Sequence, residues 1–375
     1  MKKILFVATV VRLHINVFHL PYIKWFHDQG WQVDVAARND FDNPDECVIP
    51  YCDHHYTIPF ERSPLKPANL KAYKELKNLI NREQYDLIHC HTPVGGVAAR
   101  LAARKCRKAG KTKVAYTAHG FHFYSGAPIL NWILFYPIER ILAHQTDLLI
   151  TMNSEDYDRA KKFKAKKVAC VNGVGLDLNR FLPEQEAEKV AIREKLHLGQ
   201  KDIFAITVGN LIKRKNQAVL IEAVKKVNNP HLHLFICGDG QCLDELKAKA
   251  KDSGIRKQVH FLGFRKDVEK LCGAADLFLF ASRQEGLPVA VMEAMACGLP
   301  IIASKIRGNT DLIDNGKGGY LIQPTDAEGF AKAMVSVINN REKAKSMEDY
   351  NFKKIKDYSK EKVMEQMAEL YKALM

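Results

Sequence analysis

The chain has 375 residues, enough for two domains, and its 47% hydrophobic and 27% charged residues exclude a largely disordered protein. The net charge is +14, of which +9 falls within residues 1–180, and this excess favours an anionic partner such as nucleic acid, acidic lipid or a phosphorylated substrate. Nine scattered cysteines without a C-x-x-C motif, and apolar runs too short to span a membrane, predict a cytosolic protein with reduced thiols.

In the first half of the chain, short apolar runs alternate with longer amphipathic segments. The runs predict strands at 4–8, 32–36, 87–90, 114–117, 148–151 and 168–171. The segments between them predict helices at 17–29, 69–81, 97–108, 130–144 and 155–163. Because the runs are continuously apolar, they are typical of parallel strands that helices cover on both faces.

The second half repeats this pattern after a loop-like segment at 172–188. Strands are predicted at 204–208, 232–236, 259–262, 277–280 and 301–303, and helices near 217–227, 243–251 and 290–296. The sequence thus predicts an α/β protein with two doubly wound parallel sheets, in domains 1–178 and 179–357. A last helix, at about 358–375, is expected to return to the first domain.

The segment 282–304 carries the strongest functional signal, because ligands of open α/β sheets bind beyond the carboxyl ends of the strands. Glu285 follows a predicted strand, the turn 286–288 leads into a helix, and Glu293 lies in that helix. Free N–H groups at the helix start can hold a phosphate, and the two carboxylates can accept hydrogen bonds from sugar hydroxyls. The alternative is that Glu285 is only a turn residue and Glu293 a solvated helix residue.

Further motifs occur along nearly the whole chain: VGN at 208–210 followed by Lys215, CGDG at 237–240, FLGF at 261–264 and IRGNTDLI at 306–313. In this combination the sequence closely resembles the retaining nucleotide-sugar glycosyltransferases of glycosyltransferase family 4, which have the GT-B fold of two Rossmann-like domains. In the first half, FHLPYIKWF, IHCHTPVGG, YTAHGFHFY and NGVGLDLNRF are similar to members that build bacterial capsular polysaccharides and exopolysaccharides.

The resemblance implies a role for particular residues. Glu285 and His119 are expected to be the catalytic residues at the donor sugar, with Glu293 on the ribose and Lys215 on the diphosphate. The donor-binding residues it implies are Gly209, Asn210, Lys215, Gly240, Phe264, Arg265, Gly286, Leu287, Pro288 and Glu293. It implies an N-terminal acceptor-binding domain and a C-terminal domain that binds the nucleotide sugar.

Two positions depart from the family pattern. Asn210 stands where many relatives place an arginine for the diphosphate, and Arg214 or Arg307 could compensate. The N-terminal loop at 11–16, usually rich in glycine, contains His14 and Asn16, which are candidates for contact with the acceptor or with phosphate.

The sequence offers little support for a metal site. His89 and His91 lie on one face of a predicted strand, and the sequence shows no third or fourth ligand beside them. The D-x-D at 156–158 falls in a predicted polar helix with Ser154 as its N-cap, where acidic residues simply favour the helix start. We therefore expect no metal and no cofactor.

A basic stretch at 100–113 predicts contact with an anionic membrane surface. Helical spacing places Arg100, Arg104, Arg107 and Lys108 on one face. The apolar segment 129–136 and the aromatic residues at 22, 25 and 26 could add anchoring. The protein would then be cytoplasmic and peripheral on the inner face of the cell membrane; the alternative is a solvated helix face.

The function that the resemblance implies is retaining, metal-independent transfer of a hexosyl group from a nucleotide diphosphate, with UDP expected. The acceptor would be a lipid-linked saccharide in capsule or exopolysaccharide synthesis. One alternative is a UDP-sugar 2-epimerase of the same fold, which would isomerise the sugar without an acceptor. Another is a basic nucleic-acid-binding protein without turnover, but no nucleic-acid-binding motif is present and no nucleic-acid partner is expected. The sequence makes no prediction of the oligomeric state.

Overall fold

The computed structural model describes residues 1–375, which divide into two compact units. The first unit comprises Met1–Val174 together with Val363–Met375, and the second comprises Gly175–Lys362. Each unit is built on one parallel sheet.

The first unit contains a seven-stranded sheet in the order β3-β2-β1-β4-β5-β6-β7. Its strands are β1 (Lys3–Val10), β2 (Gln32–Arg38), β3 (His54–Thr57), β4 (Leu87–His91), β5 (Lys113–Ala118), β6 (Leu148–Thr151) and β7 (Lys167–Cys170). Its helices are a π-helix (Val11–His19), α1 (Leu20–Asp28), α2 (Ala68–Glu83), α3 (Pro93–Ala102), α4 (Arg104–Lys108), α5 (Ile129–Ala143) and α6 (Ser154–Ala160), with a short 3-10 turn at Pro44–Glu46.

The second unit has a six-stranded sheet in the order β10-β9-β8-β11-β12-β13. Its strands are β8 (Ile203–Val208), β9 (Leu232–Cys237), β10 (Val259–Gly263), β11 (Leu277–Phe280), β12 (Ile301–Ser304) and β13 (Gly319–Ile322). Its helices are α7 (Glu186–Lys195), α8 (Gln217–Val227), α9 (Leu243–Asp252), α10 (Val268–Ala274), α11 (Val289–Ala296), α12 (Asn309–Leu312), α13 (Ala327–Ile338) and α14 (Arg341–Ile355), followed by a 3-10 turn (Lys356–Tyr358). The last helix of the chain is α15 (Lys360–Leu374).

Both sheets are covered on both faces, as the continuously apolar runs predict. In the second unit, Phe278 and Phe280 of β11 belong to one buried cluster, whereas Leu277 and Leu279 belong to another. Successive side chains of a strand point to opposite faces, so these clusters lie on the two sides of the sheet. The prediction of two doubly wound parallel sheets is confirmed.

Two strands were not predicted, and both lie at a sheet edge. β3 has the sequence HHYT and only exposed or half-buried residues, while β13 has a single buried residue. An edge strand has one partner and one open side, so it can lack the apolar run that identifies a central strand, although the edge strands β7 and β10 were predicted.

The segment 11–16 is not a loop, as the sequence analysis expected, but part of the π-helix that leads directly into α1. Its buried residues are Val11, Ile15 and His19, one helical turn apart. Burial of this inward row accounts for the helix, because three side chains at this spacing share one face.

One predicted helix needs correction, and the helices that were not predicted include one in the charged segment 341–355. The predicted helix 97–108 begins earlier, at Pro93, and divides at Ala103 into α3 and α4. Gly96 lies within α3 and is required for packing, since a Cβ there would lie 2.5 Å from a ring carbon of Tyr116. The charged segment 341–355 forms α14, whose residues Met347, Asn351 and Ile355 are buried at a spacing of four.

The helix α15 belongs to the first unit from Val363 onwards. Its Tyr371 is buried against Phe26 and Trp25 of α1, and its hydroxyl bonds to Nδ1 of His89 at 2.7 Å.

All nine cysteines are free thiols. No helix of the chain combines the length and apolar character that a membrane span requires.

Candidate active site

Glu285 lies beyond the carboxyl end of β11, where two cations from the loop after β8 reach it. Its Oε1 accepts hydrogen bonds from Nζ of Lys215 at 2.8 Å and from Nη1 of Arg214 at 3.0 Å. Oγ of Ser282 donates to the same oxygen at 2.6 Å. The result is a carboxylate with remaining acceptor capacity directly beside two positive charges, which suits a ligand with both hydroxyls and phosphates.

Arg214 and Arg307, the two candidates to compensate for Asn210, lie in different surroundings. The Arg214 side chain is 41% exposed and shares Oε1 of Glu285 with Lys215. Arg307 is buried, and its Nε donates to the backbone oxygen of Glu285 at 2.9 Å. Arg307 thus stabilises the loop that carries Glu285, whereas the exposed side chain of Arg214 lies beside Lys215, where it could contact a bound diphosphate.

Loops beyond neighbouring strands come together near Gly209. Its N–H donates to the carbonyl of Cys237 at 2.9 Å, which joins the ends of β8 and β9. Gly240 has φ +155°, and a Cβ there would lie 2.4 Å from the carbonyl oxygen of Leu211. Only glycine permits this approach, so the family's glycine at 240 has a direct steric cause here.

Phe264 and Arg265 follow β10. The N–H of Phe264 donates to Oδ2 of Asp239 at 3.2 Å, and its side chain is 73% exposed. Arg265 forms a two-fold hydrogen bond with Asp267, at 2.8 and 2.6 Å. The guanidinium of Arg265 is therefore bonded within its own loop. A ligand at this position would meet the backbone of Arg265 and not its side chain.

The turn Gly286-Leu287-Pro288 leads into α11, with Pro288 immediately before the first helical residue. A Cβ at Gly308 would lie 2.2 Å from the carbonyl oxygen of Gly286, so the loop before α12 packs tightly against this turn. This close packing fixes the turn and with it the start of α11.

Glu293 lies in α11 and is half-buried. Burial raises the pKa of its carboxyl from 4.5 to about 7, the neighbouring Arg180 acts against this rise, and Glu269 adds to it. Arg180 itself bonds Glu269 at 3.0 Å. Glu293 is thus not the solvated helix residue of the alternative interpretation. Sequence analysis did not identify Arg180 and Glu269, because no local motif links them to Glu293.

In the first unit, four histidines meet beyond the carboxyl ends of β1, β4 and β5, which are neighbours in the sheet. His14 and His19 belong to the π-helix after β1, His91 ends β4, and His119 follows β5. One ligand nitrogen from each lies within 4.8 Å of all the others. The sequence showed no third ligand beside His89 and His91, whereas the structure brings three further histidines to His91.

These imidazoles are neutral at neutral pH. Burial lowers the pKa of His14 to about 4, and the positive charge of Arg62 acts in the same direction. The pKa values of His19, His91 and His119 lie well below 6.5, because burial and then the neighbouring imidazoles disfavour a positive charge.

His89 and Asn16 lie beside the cluster but are engaged elsewhere. Nε2 of His89 bonds to Oγ1 of Thr117 at 2.8 Å, while its other nitrogen bonds to Tyr371. Asn16 donates to the backbone oxygen of Val48 at 3.0 Å. Of the two candidates His14 and Asn16, only His14 joins the cluster that contains His119.

The D-x-D at 156–158 is structural, although not in the way the sequence analysis expected. The N-cap of α6 is Asn153 and not Ser154, with its side-chain oxygen 2.8 Å from the N–H of Asp156. Asp156 is fully buried and accepts from the N–H of Phe121 at 3.1 Å. It therefore fixes the loop that follows His119.

The predicted basic face of α3 and α4 is wrong for two of its four residues. Arg100 is completely buried, bonds to Glu139 of α5 at 2.8 Å and stacks over Tyr116 at 3.9 Å. Arg107 is largely buried in an ion pair with Asp147. Buried acidic partners draw these residues inward, and only Arg104 and Lys108 remain exposed.

A different surface of the same unit is apolar. The solvent-facing side of α5 consists almost entirely of hydrophobic residues, namely Ile129, Leu130, Ile133, Leu134, Pro137, Ile138 and Ile141. Of the aromatic residues considered as anchors, Tyr22 and Phe26 are buried. A cavity of about 270 Å³ lies beneath α5, with a largely apolar lining that includes Tyr73, Leu101 and Ile138.

Comparison with known families agrees with both units. Residues 188–354 match the family model of glycosyl transferases group 1, and residues 3–153 match that of glycosyl transferase 4-like proteins. The chain is 41% identical to EpsD of Bacillus subtilis over 100% of its own length and 97% of that protein.

A second relative is the UDP-Gal:alpha-D-GlcNAc-diphosphoundecaprenol alpha-1,3-galactosyltransferase of Escherichia coli, with 33% identity over 73% of each chain. Among solved structures, Anabaena HepE in complex with UDP and glucose superimposes with a TM-score of 0.80 and 20% identity over 100% of both chains. The fold is therefore GT-B, as the sequence predicted.

Proposed function

Because the chain belongs to the group 1 glycosyltransferases of family 4, we propose that it transfers a hexosyl group from a UDP-sugar to a lipid-linked saccharide. The transfer would retain the anomeric configuration and would serve the synthesis of a capsular polysaccharide or exopolysaccharide. The observation that carries the donor half of this proposal is the contact of Glu285 with Lys215 and Arg214.

The chemistry breaks the bond between the sugar C1 and the diphosphate, so negative charge develops on the leaving group. Preorganised cations stabilise such charge most effectively. When the diphosphate binds, it would share the ammonium of Lys215 and the guanidinium of Arg214 with Glu285. The carboxylate of Glu285 would then be released from part of its ion pairing and could accept hydrogen bonds from the sugar hydroxyls.

The remaining donor contacts follow from the loops described above. Glu293 would accept hydrogen bonds from the ribose hydroxyls. The exposed backbone near Gly209, Asn210 and Gly240 would line the nucleotide. Phe264 and Arg265 would lie beside the base. The turn Gly286-Leu287-Pro288 would present backbone N–H groups to the sugar. His119, in the first unit, is a further residue that the family resemblance assigns to the sugar.

We propose that the diphosphate needs no metal ion, since two side-chain cations converge beside Glu285. The affinity for UDP, measured by calorimetry in metal-free buffer, should then be unchanged when Mg²⁺ or Mn²⁺ is added. A large gain in affinity with either ion would show that a metal neutralises the diphosphate.

The apolar face of α5 supports the lipid-linked acceptor. An exposed helix face of this kind is suited to lie in a membrane surface, and the cavity beneath it offers apolar space for part of a lipid. The Escherichia coli relative is named for an acceptor linked to diphosphoundecaprenol. We therefore place the membrane contact on α5, with Arg104 and Lys108 as supporting cations.

A panel of UDP-, GDP- and ADP-sugars tests the proposal. We expect one UDP-sugar to raise the melting temperature, to be hydrolysed slowly alone, and to be transferred when a diphosphoundecaprenol-linked saccharide is added. Isomerisation of the UDP-sugar without acceptor would instead identify a 2-epimerase. Absence of any nucleotide-sugar binding would refute the proposed function.

A further inference from the structure

The histidine cluster lies at the place in the first sheet where an open α/β fold binds ligands. The order β3-β2-β1-β4-β5-β6-β7 reverses direction between β1 and β4. Ligands of such sheets bind beyond the carboxyl ends of the strands at this switch point. His14 and His19 follow β1, His91 ends β4, and His119 follows the next strand, β5.

The histidine nitrogens lack the partners that buried polar atoms normally have. Neither ring nitrogen of His19 or of His91 has a hydrogen-bond partner, and the same holds for Nε2 of His14 and Nε2 of His119. Buried polar side chains in folded proteins are almost always hydrogen-bonded. One nitrogen from each of the four rings, and thus four of these six atoms, would gain a partner from a single missing ligand that accepts lone pairs.

From this geometry we propose that His14, His19, His91 and His119 bind a divalent transition-metal ion of the zinc type. Imidazole nitrogen suits zinc, copper, nickel and iron, whereas magnesium and calcium require oxygen ligands. The cluster contains four imidazoles and no carboxylate. The four histidines all belong to the first unit and none lies in the donor loops of the second, so a metal there goes beyond the proposed function, although His119 is also assigned to the sugar.

This coordination requires the rings to move, since His19 and His91 stack with their centroids 3.7 Å apart and must turn before a nitrogen of each faces one ion. Zinc binds imidazole nitrogen at about 2.0–2.1 Å, so two ligands of a tetrahedral ion lie about 3.4 Å apart. The cluster nitrogens lie within 4.8 Å of one another, and the widest pair must therefore approach by about 1.4 Å. Side-chain rotation can supply such a movement, since His14 and His119 are only half-buried.

The expected affinity follows from the surroundings of the ligands. Zinc-bound histidines usually donate their second N–H to a carboxylate, a carbonyl or water, and loss of such partners weakens binding about 10–100-fold. His19 and His91 have no such protein partner. We therefore expect a Kd on the order of 1 µM, weaker than that of a structural zinc site.

The experiment uses the full-length chain without a histidine tag and without any nucleotide sugar, so that donor binding has no influence on the result. Zinc is titrated by calorimetry, and cobalt(II) is titrated by visible absorption, which reports tetrahedral coordination. The variants are His14→Ala and His19→Ala. The control is His27→Ala, which removes an exposed histidine at the end of α1.

We expect one equivalent of zinc in the wild type and in His27→Ala, with a tetrahedral cobalt spectrum, and at least tenfold weaker binding in the two cluster variants. Circular dichroism in the absence of metal establishes that each variant is folded. His14→Ala is the decisive variant if His19→Ala fails to fold, because His14 is half-buried. The proposal is overturned if the folded wild type shows no saturable site, or if folded His14→Ala binds zinc as tightly as the wild type.

Discussion

The raised pKa of Glu293 predicts that donor binding depends on pH. With a pKa of about 7, roughly one molecule in eleven carries the ionised carboxylate at about pH 6, and about ten in eleven carry it at about pH 8. In the proposed donor complex, the ionised form would accept hydrogen bonds from both ribose hydroxyls, whereas the protonated form has less acceptor capacity and would bind much more weakly. The affinity should therefore rise about tenfold between these pH values, equivalent to about 1.4 kcal/mol.

The assay is calorimetric titration of the preferred UDP-sugar, whose diphosphate has no proton that titrates in this range. In Glu293→Gln the affinity should be lower at high pH and independent of pH. Glu269→Gln provides a sharper control, because it removes a neighbouring negative charge and should move the midpoint to lower pH. If the wild type binds the UDP-sugar equally at every pH, Glu293 does not hold the ribose in its ionised form.

Three other predictions concern the remaining features. Glu285→Ala should leave UDP affinity nearly unchanged but abolish turnover of the UDP-sugar, and a matching loss of UDP affinity would contradict its assignment to the sugar. Leu134→Asp should reduce co-sedimentation with all vesicles, whereas Arg104→Glu should reduce it only for anionic vesicles. The binding free energy should weaken by about 1 kcal/mol for each charge lost near the surface. If both variants bind as the wild type does, this face does not contact the membrane. Arg100→Ala should lower the free energy of unfolding in urea by about 3–5 kcal/mol, because Glu139 stays buried without its partner, and a change below about 1 kcal/mol would show that water enters the site.

The central strands and most helices could be predicted from the sequence, because burial on both faces makes them continuously apolar or strongly periodic. The bounds of α8 agree to the residue with the predicted 217–227, and α15 (Lys360–Leu374) lies within the expected 358–375. Two of the four edge strands, β3 and β13, were not predicted, whereas the edge strands β7 and β10 were. The turn and helix start next to Glu285 could be located from the sequence because their residues are consecutive, while their roles toward the donor stay predictions.

What the sequence could not reveal were the contacts between distant segments. The spacing of the cations at 100–108 correctly indicated helical structure, but not that the buried acids Glu139 and Asp147 hold Arg100 and Arg107 away from solvent. In the same way, the histidines are up to 105 residues apart, from His14 to His119, and only the strand order brings them together.

The return of α15 to the first sheet has a consequence for the synthesis of the protein. A ribosome delivers the chain from its first residue, and an N-terminal domain ordinarily folds before the next one is complete. Here Tyr371, which covers Phe26 and bonds His89, emerges only after the whole of Gly175–Lys362 has been made. The first unit therefore cannot complete its packing until the second unit has been translated, and until then an aromatic surface of α1 stays uncovered.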